Sequence, residues 1–331
     1  MTQKEFKEKW EHGLTSFLKK KDISRVGGYT RKNNKGQEAK HDYIIDLKEG
    51  ENELDIIKKY NLIYDDKIIY EDNGNLERLI GKIHSYARHL NSSQIMCYNF
   101  FRRMMTVDSQ KPLGHANDIL TTFIKEKLHL EISKKAICHF EYEDDEMQDH
   151  FKSLVNYGRG EKSQFDFYIK DEETEIFFEI KYTESSFGKW TNSNKISQQS
   201  INNHCTYVEK GYKEMLKRSP FFTQGCKDFY TAMSEDSFSK PNNPFNKHYQ
   251  LFRNALKADN SKYSVFIFPK ANPNTNKEFE SFRKNLVNNN EHIIALFWED
   301  LTSYMSTEFI EKYISFMISP KTYRPNNQRE Q

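Results

Sequence analysis

The sequence lacks a long apolar stretch and has few cysteines. Its 331 residues contain no run of about 18 apolar residues, the length that a membrane-spanning helix needs. The first residues are charged and lack the apolar core of a secretory signal, which predicts a cytoplasmic protein. The four cysteines form no CxxC pair, so neither a disulfide framework nor a zinc knuckle is expected. The motifs of serine hydrolases, zincins, P-loop enzymes and dinucleotide-binding enzymes are also absent.

Aromatic side chains dominate the apolar composition. The hydrophobic share is low, at 36%, but aromatic residues alone make up 14% of the chain. Burial therefore depends on a few large side chains, and a globular fold is expected instead of wholesale disorder. A chain of this length forms one large domain or two of ordinary size.

Charge is distributed unevenly along the chain, although the net charge is only +2. Residues 1–40 carry eleven basic and five acidic side chains, and residues 185–290 carry sixteen basic and eight acidic ones. Between them, residues 131–184 carry fifteen acidic and seven basic side chains. An acidic centre between basic flanks suits a protein that binds a polyanion around a divalent metal. Solvated faces of a chain rich in Lys and Glu are the alternative.

Hydrophobic periodicity predicts helices and short aromatic strands. Helices are predicted at 4–20, 53–64, 76–90, 92–105, 116–130, 205–218, 248–258, 276–286 and 300–317, the fourth capped by Ser92 or Ser93 and the fifth by Asn117. Strands are predicted at 65–72, 136–143, 163–170, 175–182, 262–269 and 292–298. The strands at 136–143, 163–170 and 175–182 are predicted to form a meander. This order predicts an α/β fold in which helices flank both faces of a central mixed sheet.

Two of these strands carry the residues that suggest chemistry. On EIFFEIKY (175–182), alternation places Glu179 and Lys181 on one face, about 7 Å apart along the strand. On SQFDFYIK (163–170), Asp166 projects away from its aromatic neighbours, and a tight turn at DEET brings it close to Glu179. Two carboxylates beside a lysine suit a hard cation such as Mg²⁺. The alternative is an ordinary salt bridge at the edge of a sheet.

The segments FDFYI and FFEIKYTESSFG resemble the Asp and Glu-x-Lys half-motifs of the PD-(D/E)XK superfamily, the restriction-endonuclease-like nucleases. Further stretches at 89–101, 248–269 and 292–301 resemble one bacterial branch of this superfamily, so the resemblance spans residue 84 to about residue 304. Phe165 stands where the motif has proline.

The resemblance implies a restriction-endonuclease-like core and a Mg²⁺-dependent nuclease, in which Mn²⁺ can substitute. It implies that Asp166 and Glu179 bind the metal and that Lys181 orients or deprotonates the attacking water. In-line attack on a phosphodiester needs these same elements: an activated hydroxide, a Lewis acid and a cation near the developing charge.

Two more residues are candidates for the site. Many members of the superfamily add a further acid from the first core helix or strand. Glu141 is preferred here over Glu126 and Glu143, because it is expected one strand from Asp166 on an inward face. A helix after the Glu-x-Lys strand can present an amide to the site, which suggests a catalytic role for Gln250. The alternative for each is an ordinary surface side chain.

The chain divides, on this interpretation, into a basic helical and hairpin region at 1–83 and a nuclease domain at 84–331 with a polar insertion at about 185–246. The first region is expected to grip nucleic acid. The expected partners are double-stranded DNA and a second copy of the chain, since cutting two strands with one site per chain favours a dimer. No membrane partner is expected.

The function expected is a Mg²⁺-dependent DNA endonuclease in bacterial restriction or anti-phage defence. Two alternatives stay open. One is a catalytically weak or inactive nucleic-acid-binding module of a defence complex, which needs the basic flanks but not the acids. The other is a nuclease that processes RNA or DNA ends, which shares the site chemistry and differs in substrate.

Overall fold

The computed structural model describes residues 1–28, 41–63, 83–84, 86–107, 113–145, 164–188, 211–232 and 247–318. Within these ranges, no helix has the length and apolar character needed to cross a membrane. The strand predicted at 65–72 lies outside the described residues, as do most of the insertion and the last thirteen residues.

A seven-stranded mixed sheet forms the centre of the fold, with its strands in sequence order from one edge to the other. Its strands are β1 (Met105–Val107), β2 (Gly114–Ala116), β3 (Ile137–Glu143), β4 (Gln164–Lys170), β5 (Glu175–Ile180), β6 (Lys262–Phe268) and β7 (Ile293–Phe297). Neighbours from β1 to β5 are antiparallel, whereas β5, β6 and β7 run parallel. The predicted meander and the mixed sheet are therefore confirmed.

The helices are α1 (Gln3–Lys20), α2 (Glu53–Tyr60), α3 (Ser93–Phe101), α4 (Asp118–Leu128), α5 (Lys213–Arg218), α6 (Gln224–Ala232), α7 (Tyr249–Ala255), α8 (Pro273–Arg283) and α9 (Thr307–Phe309). The predicted caps of α3 and α4 are present. The Ser92 hydroxyl accepts from the amide of Ile95, and the Asn117 side chain accepts from the amides of Ile119 and Leu120. These bonds satisfy amides that the first helical turn leaves without a partner.

Helices cover both faces of the sheet, which confirms the predicted α/β class. On one face, α3 packs on β4 and β5, where the Phe101 ring stacks on Phe167 with centroids 4.1 Å apart, and α4 packs against α3 and β2. On the other face, α7 and α8 pack on β6, where the Phe282 ring meets Phe252 edge-on. The strands β5 and β6 are thus buried on both sides, and this accounts for their nearly continuous apolar sequences.

The N-terminal helix α1 packs through one apolar stripe, as its periodicity predicts. Phe6, Trp10 and Leu14 are buried, and they belong to a cluster that also contains Ile45 and Leu90. A reciprocal capping box between Thr2 and Glu5 begins the helix.

Several predictions of secondary structure were wrong. Residues 86–90 form turns, although 76–90 was predicted as one helix. The segment predicted as a helix at 300–317 is broken into a 3₁₀-helix (Trp298–Tyr304), α9 and a π-helical turn (Ile310–Ile314). The short strands β1 and β2 were missed, because three residues are too few to show alternation. Helix α6 was not predicted either, since only one helix was expected in the insertion.

Candidate active site

The two acidic half-motifs meet where β4 begins and its antiparallel neighbour β5 ends. The last recorded pair of this ladder is Phe167 with Phe178, so Asp166 and Glu179 stand opposite each other one position further along. One oxygen of Asp166 accepts a hydrogen bond from the backbone amide of Ile180, at 2.6 Å. Asp166 is partly exposed, whereas Glu179 retains only 3% of its exposure. The site therefore has one carboxylate within reach of solvent and one held inside.

Lys181 and Asn254 hold the buried carboxylate of Glu179. The Lys181 ammonium lies 2.7 Å from one oxygen, and the Asn254 side-chain amide donates to the other, also at 2.7 Å. Lys181 and Glu179 project from the same face of β5, as the alternation predicts. Asn254 approaches them from α7 and is itself 2% exposed. A buried charge needs such partners, because it has left its hydration shell behind.

The backbone of Lys181 is fixed on both sides. Its amide donates to the carbonyl of Ile267 on β6 at 2.9 Å, and its carbonyl accepts from the indole N–H of Trp298 at 2.9 Å. The chain that follows Ile180 thus stays in register with β6 beyond the end of β5. These bonds hold the ammonium over Glu179.

Burial raises the pKa of both acids, and like charges raise that of Asp166 further. Burial, followed by the charges of Glu179 and Glu141, raises the pKa of Asp166 well above its ordinary value. Burial also raises the pKa of Glu179, although Lys181, Arg253 and Asn254 oppose it. A carboxylate pair of this kind gains stability from an added cation.

The pKa of the Lys181 ammonium is raised instead. Burial lowers it, but the nearby charges of Glu179, Glu184 and Asp166 outweigh burial. Lys181 is therefore a stable cation at neutral pH in this arrangement and is suited to offset negative charge. It is not a free amine.

Glu141 joins the cluster from β3. It occupies the position opposite Asp166, adopts a positive φ of 50°, and its side chain is 5% exposed. A positive φ is unusual for a residue other than glycine and marks a local distortion of the strand. The His84 imidazole lies 3.4 Å from its carboxylate. The structure thus brings Glu141 close to Asp166.

The other acidic candidates and Gln250 lie elsewhere. Glu126 accepts a hydrogen bond from the Tyr304 hydroxyl, and Glu143 is exposed at the end of β3. Gln250 lies against Gly188, whose carbonyl accepts a hydrogen bond from the backbone amide of Gln250 at 3.4 Å. The side-chain amide that donates to Glu179 belongs to Asn254, one turn further along α7.

Asn254 was missed by the sequence analysis, although a signal for it existed. Positions four apart on a helix share a face, so the reasoning that selected Gln250 applied equally to Asn254. Cys97 on α3 was missed too. Its sulfur lies 3.5 Å from the Asp166 carbonyl, and burial together with the three acidic charges raises its pKa well above the ordinary value. The thiolate form of Cys97 is therefore disfavoured.

The donor set suits a magnesium ion. Among the described residues, no group of three or more His, Cys, Asp or Glu side chains is arranged to hold a metal ion. Magnesium does not require such a cage, since it commonly keeps several waters and takes one or two carboxylates together with substrate phosphates. The partly exposed Asp166 and the crowded Glu179 meet that requirement.

One comparison with known proteins found a match. The family described as Restriction Endonuclease associating with ARP matches residues 32–314. The chain belongs to this family. Its fold, a mixed sheet between two helical layers, is consistent with a restriction-endonuclease-like core, and the matched segment contains every residue of the carboxylate cluster. No curated protein and no solved structure matches the chain.

Proposed function

We propose that this protein is a metal-dependent DNA endonuclease of the PD-(D/E)XK type, which acts in the cytoplasm in restriction or anti-phage defence. The observation that carries the proposal is the convergence of Asp166, Glu179 and Lys181 at the ends of β4 and β5. Membership in a restriction-endonuclease-like family supports the same reaction class.

Each residue of the cluster has a role in this reaction. Asp166 and Glu179 would hold Mg²⁺ or Mn²⁺, which supplies Lewis acidity and lowers the pKa of bound water. Lys181 places a permanent positive charge beside the position where negative charge develops on the phosphate. The negative charge of Glu141 lies near Asp166 and would strengthen the binding of a cation there. Asn254 orients Glu179 through a neutral donor.

DNA is the substrate that the charge distribution favours. The flanking segments 1–40 and 185–290 carry net charges of +6 and +8, and basic side chains bind the phosphate backbone without regard to sequence. Double-strand cleavage by a chain with one such cluster would proceed through a homodimer, one copy for each strand.

The test is cleavage of supercoiled plasmid, linear duplex, single-stranded DNA and RNA in Mg²⁺, Mn²⁺ or EDTA. We expect metal-dependent cleavage of duplex DNA by the wild type. Glu179→Gln and Lys181→Met should reduce its rate at least about 100-fold, in the range found when an electrostatic catalytic group is removed. Glu173→Gln and Lys170→Met, two exposed residues near the β4–β5 turn, are matched controls and should retain the activity.

Two results would contradict the proposal: equal cleavage by Glu179→Gln and the wild type, or cleavage that persists in EDTA. Preference for RNA or for DNA ends would keep the chemistry and change the substrate.

A nucleic-acid-binding module is the second candidate. The observation that favours it is that both oxygens of Glu179 already have partners, Lys181 and Asn254, so the buried acid is satisfied without a metal. For such a module, we expect no cleavage of any substrate and unchanged DNA binding by Glu179→Gln. The plasmid assay, together with a binding assay on the same proteins, separates the two candidates.

A further inference from the structure

A polar cavity lies outside the carboxylate cluster, between the start of α7 and one side of α8. Its volume is about 290 Å³. The side chains that matter here are two lysines, two serines, a histidine and a glutamate: Lys247, Lys277, Ser185, Ser281, His248 and Glu278. The two lysines and Ser185 are exposed, whereas the histidine and the glutamate are buried. The cavity therefore has a basic mouth and a polar floor.

The floor contains two buried polar atoms that make no hydrogen bond to any described residue. The His248 and Glu278 side chains are 4% and 8% exposed, and Nδ1 of the histidine lies 3.6 Å from Oε1 of the glutamate. Within the part of the chain that the structure describes, neither atom has a hydrogen-bond partner. Buried polar groups are nearly always satisfied, and an acceptor bound in the cavity, such as an anion, would complete the hydrogen bonding of the imidazole N–H but not that of the carboxylate.

The remaining atoms of this pair are fixed. The other oxygen of Glu278 accepts from the backbone amide of Phe187 at 3.0 Å, and Nε2 of His248 lies 3.2 Å from the Ser281 hydroxyl. The carboxylate thus faces His248 and an amide. Two lysines and two serines also line the cavity, and this combination of side chains suits an anion, above all a phosphate.

A hydroxyl, an imidazole and a carboxylate in this order also occur in hydrolase triads. The 3.6 Å gap here leaves the imidazole without the hydrogen bond that would orient it as a general base. The geometry therefore favours binding over catalysis.

The cavity is close to the carboxylate cluster. Ser185 follows Lys181 by four residues, so the two Cα atoms are at most about 14 Å apart. The segment between them is tied to α8, because the side chain of its N-cap Asn272 donates to the carbonyl of Glu184 at 2.8 Å. Since a duplex advances about 3.4 Å for each nucleotide, this reach spans about four nucleotides.

We infer that this cavity binds a backbone phosphate of the nucleic-acid substrate, within about four nucleotides of the bond that the carboxylate cluster cleaves. Lys247 and Lys277 neutralise the phosphate, and Ser185 and Ser281 donate hydroxyl hydrogen bonds to it. The inference rests on the proposed function and adds a second point at which the protein binds the nucleic acid. Such a contact fixes the register of the strand over Asp166 and Glu179 without reading a base.

The test measures DNA binding separately from cleavage. A fluorescent duplex is titrated in EDTA with wild type, Lys247→Gln, Lys277→Gln and a control, Lys284→Gln, which replaces an exposed lysine at the end of the same helix but outside the cavity. We expect each cavity variant to weaken binding about tenfold. Each should also lower the slope of log K against log salt by about one. The control should bind as the wild type does.

Neutral methylphosphonates placed one at a time along the duplex locate the contact. One position should weaken binding by the wild type about tenfold and weaken binding by Lys277→Gln clearly less, because part of the contact is already lost in that variant. The affinities for a duplex with a 5′-phosphate and for one with a 5′-hydroxyl are also compared. The comparison shows whether the cavity binds a terminal phosphate or an internal one.

Several results would overturn the inference: no binding of DNA by the wild type, wild-type affinity in both cavity variants, or equal losses for wild type and Lys277→Gln at every methylphosphonate position. Cleavage of the same duplex in Mg²⁺ is measured separately. Absence of cleavage with the methylphosphonate pattern intact would refute the nuclease and leave the phosphate site standing.

Discussion

Substitution of Asn254 tests whether Glu179 depends on a neutral hydrogen-bond donor. The Asn254 amide donates to Glu179 at 2.7 Å, and both side chains are buried. Asn254→Asp keeps the shape of the side chain but replaces the donor with an acceptor. Two carboxyl groups then meet at hydrogen-bond distance and can coexist only by sharing a proton. Asn254→Ala removes the donor without adding a charge.

The expected magnitudes differ between the two variants. A hydrogen bond to a charged group contributes about 1.5–3 kcal/mol, so Asn254→Ala should lower the free energy of unfolding by about 2 kcal/mol. In Asn254→Asp, the shared proton has a higher pKa in the folded chain than the ordinary value of about 4 in the unfolded one. Its contribution to stability is complete below that ordinary pKa and is lost as the pH rises through the folded-state pKa. The deficit relative to wild type therefore grows by about 1.4 kcal/mol for each pH unit over that interval.

The assay is urea unfolding in EDTA at pH 5 and pH 8, which excludes bound divalent metal. We expect the deficit of Asn254→Asp to be clearly larger at pH 8 than at pH 5. The deficit of Asn254→Ala should change less between the two values. A deficit of Asn254→Asp that is the same at both pH values would refute the contact between these side chains.

Two further predictions concern Lys312 and Gly188. Burial lowers the pKa of Lys312 to about 7, so the unfolded chain binds this proton more tightly than the folded one. The free energy of unfolding in urea should therefore rise by about 2 kcal/mol from pH 7 to pH 9. This rise should be absent in Lys312→Met, and an equal rise in the variant and the wild type would contradict the prediction. Gly188 has a φ of +123°, and an added Cβ would lie 2.7 Å from the side-chain oxygen of Gln250. Gly188→Ala should lower stability by about 1–3 kcal/mol in thermal unfolding, whereas Gly225→Ala, where a Cβ meets nothing within 4 Å, should not; equal effects would refute the strain.

Much of the fold is predictable from local pattern. The alternation on β4 and β5 depends on neighbouring residues only, and the short DEET turn leaves little choice of pairing. The common face of Glu179 and Lys181 follows from that alternation. The buried parallel strands were visible as apolar runs with few polar interruptions, which is typical of a sheet covered on both sides.

Other features depend on contacts between distant segments. The position of Asn254 on Glu179 depends on how α7 packs against the sheet, 75 residues further along the chain. The positive φ of Glu141 occurs where β3 lies opposite Asp166, and no pattern in the sequence predicts it. The last predicted helix breaks near Ser306, whose hydroxyl caps α9 by accepting from the amide of Phe309.

The shared cation is the central claim, and Mn²⁺ binding followed by electron paramagnetic resonance tests it most directly. The wild type should remove free Mn²⁺ from solution, and Asp166→Asn and Glu179→Gln should each abolish most of that binding. Glu173→Gln, an exposed acid near the same strands, should bind as the wild type does. Equal Mn²⁺ binding by wild type, Asp166→Asn and Glu179→Gln would contradict the claim that these two carboxylates form a metal centre.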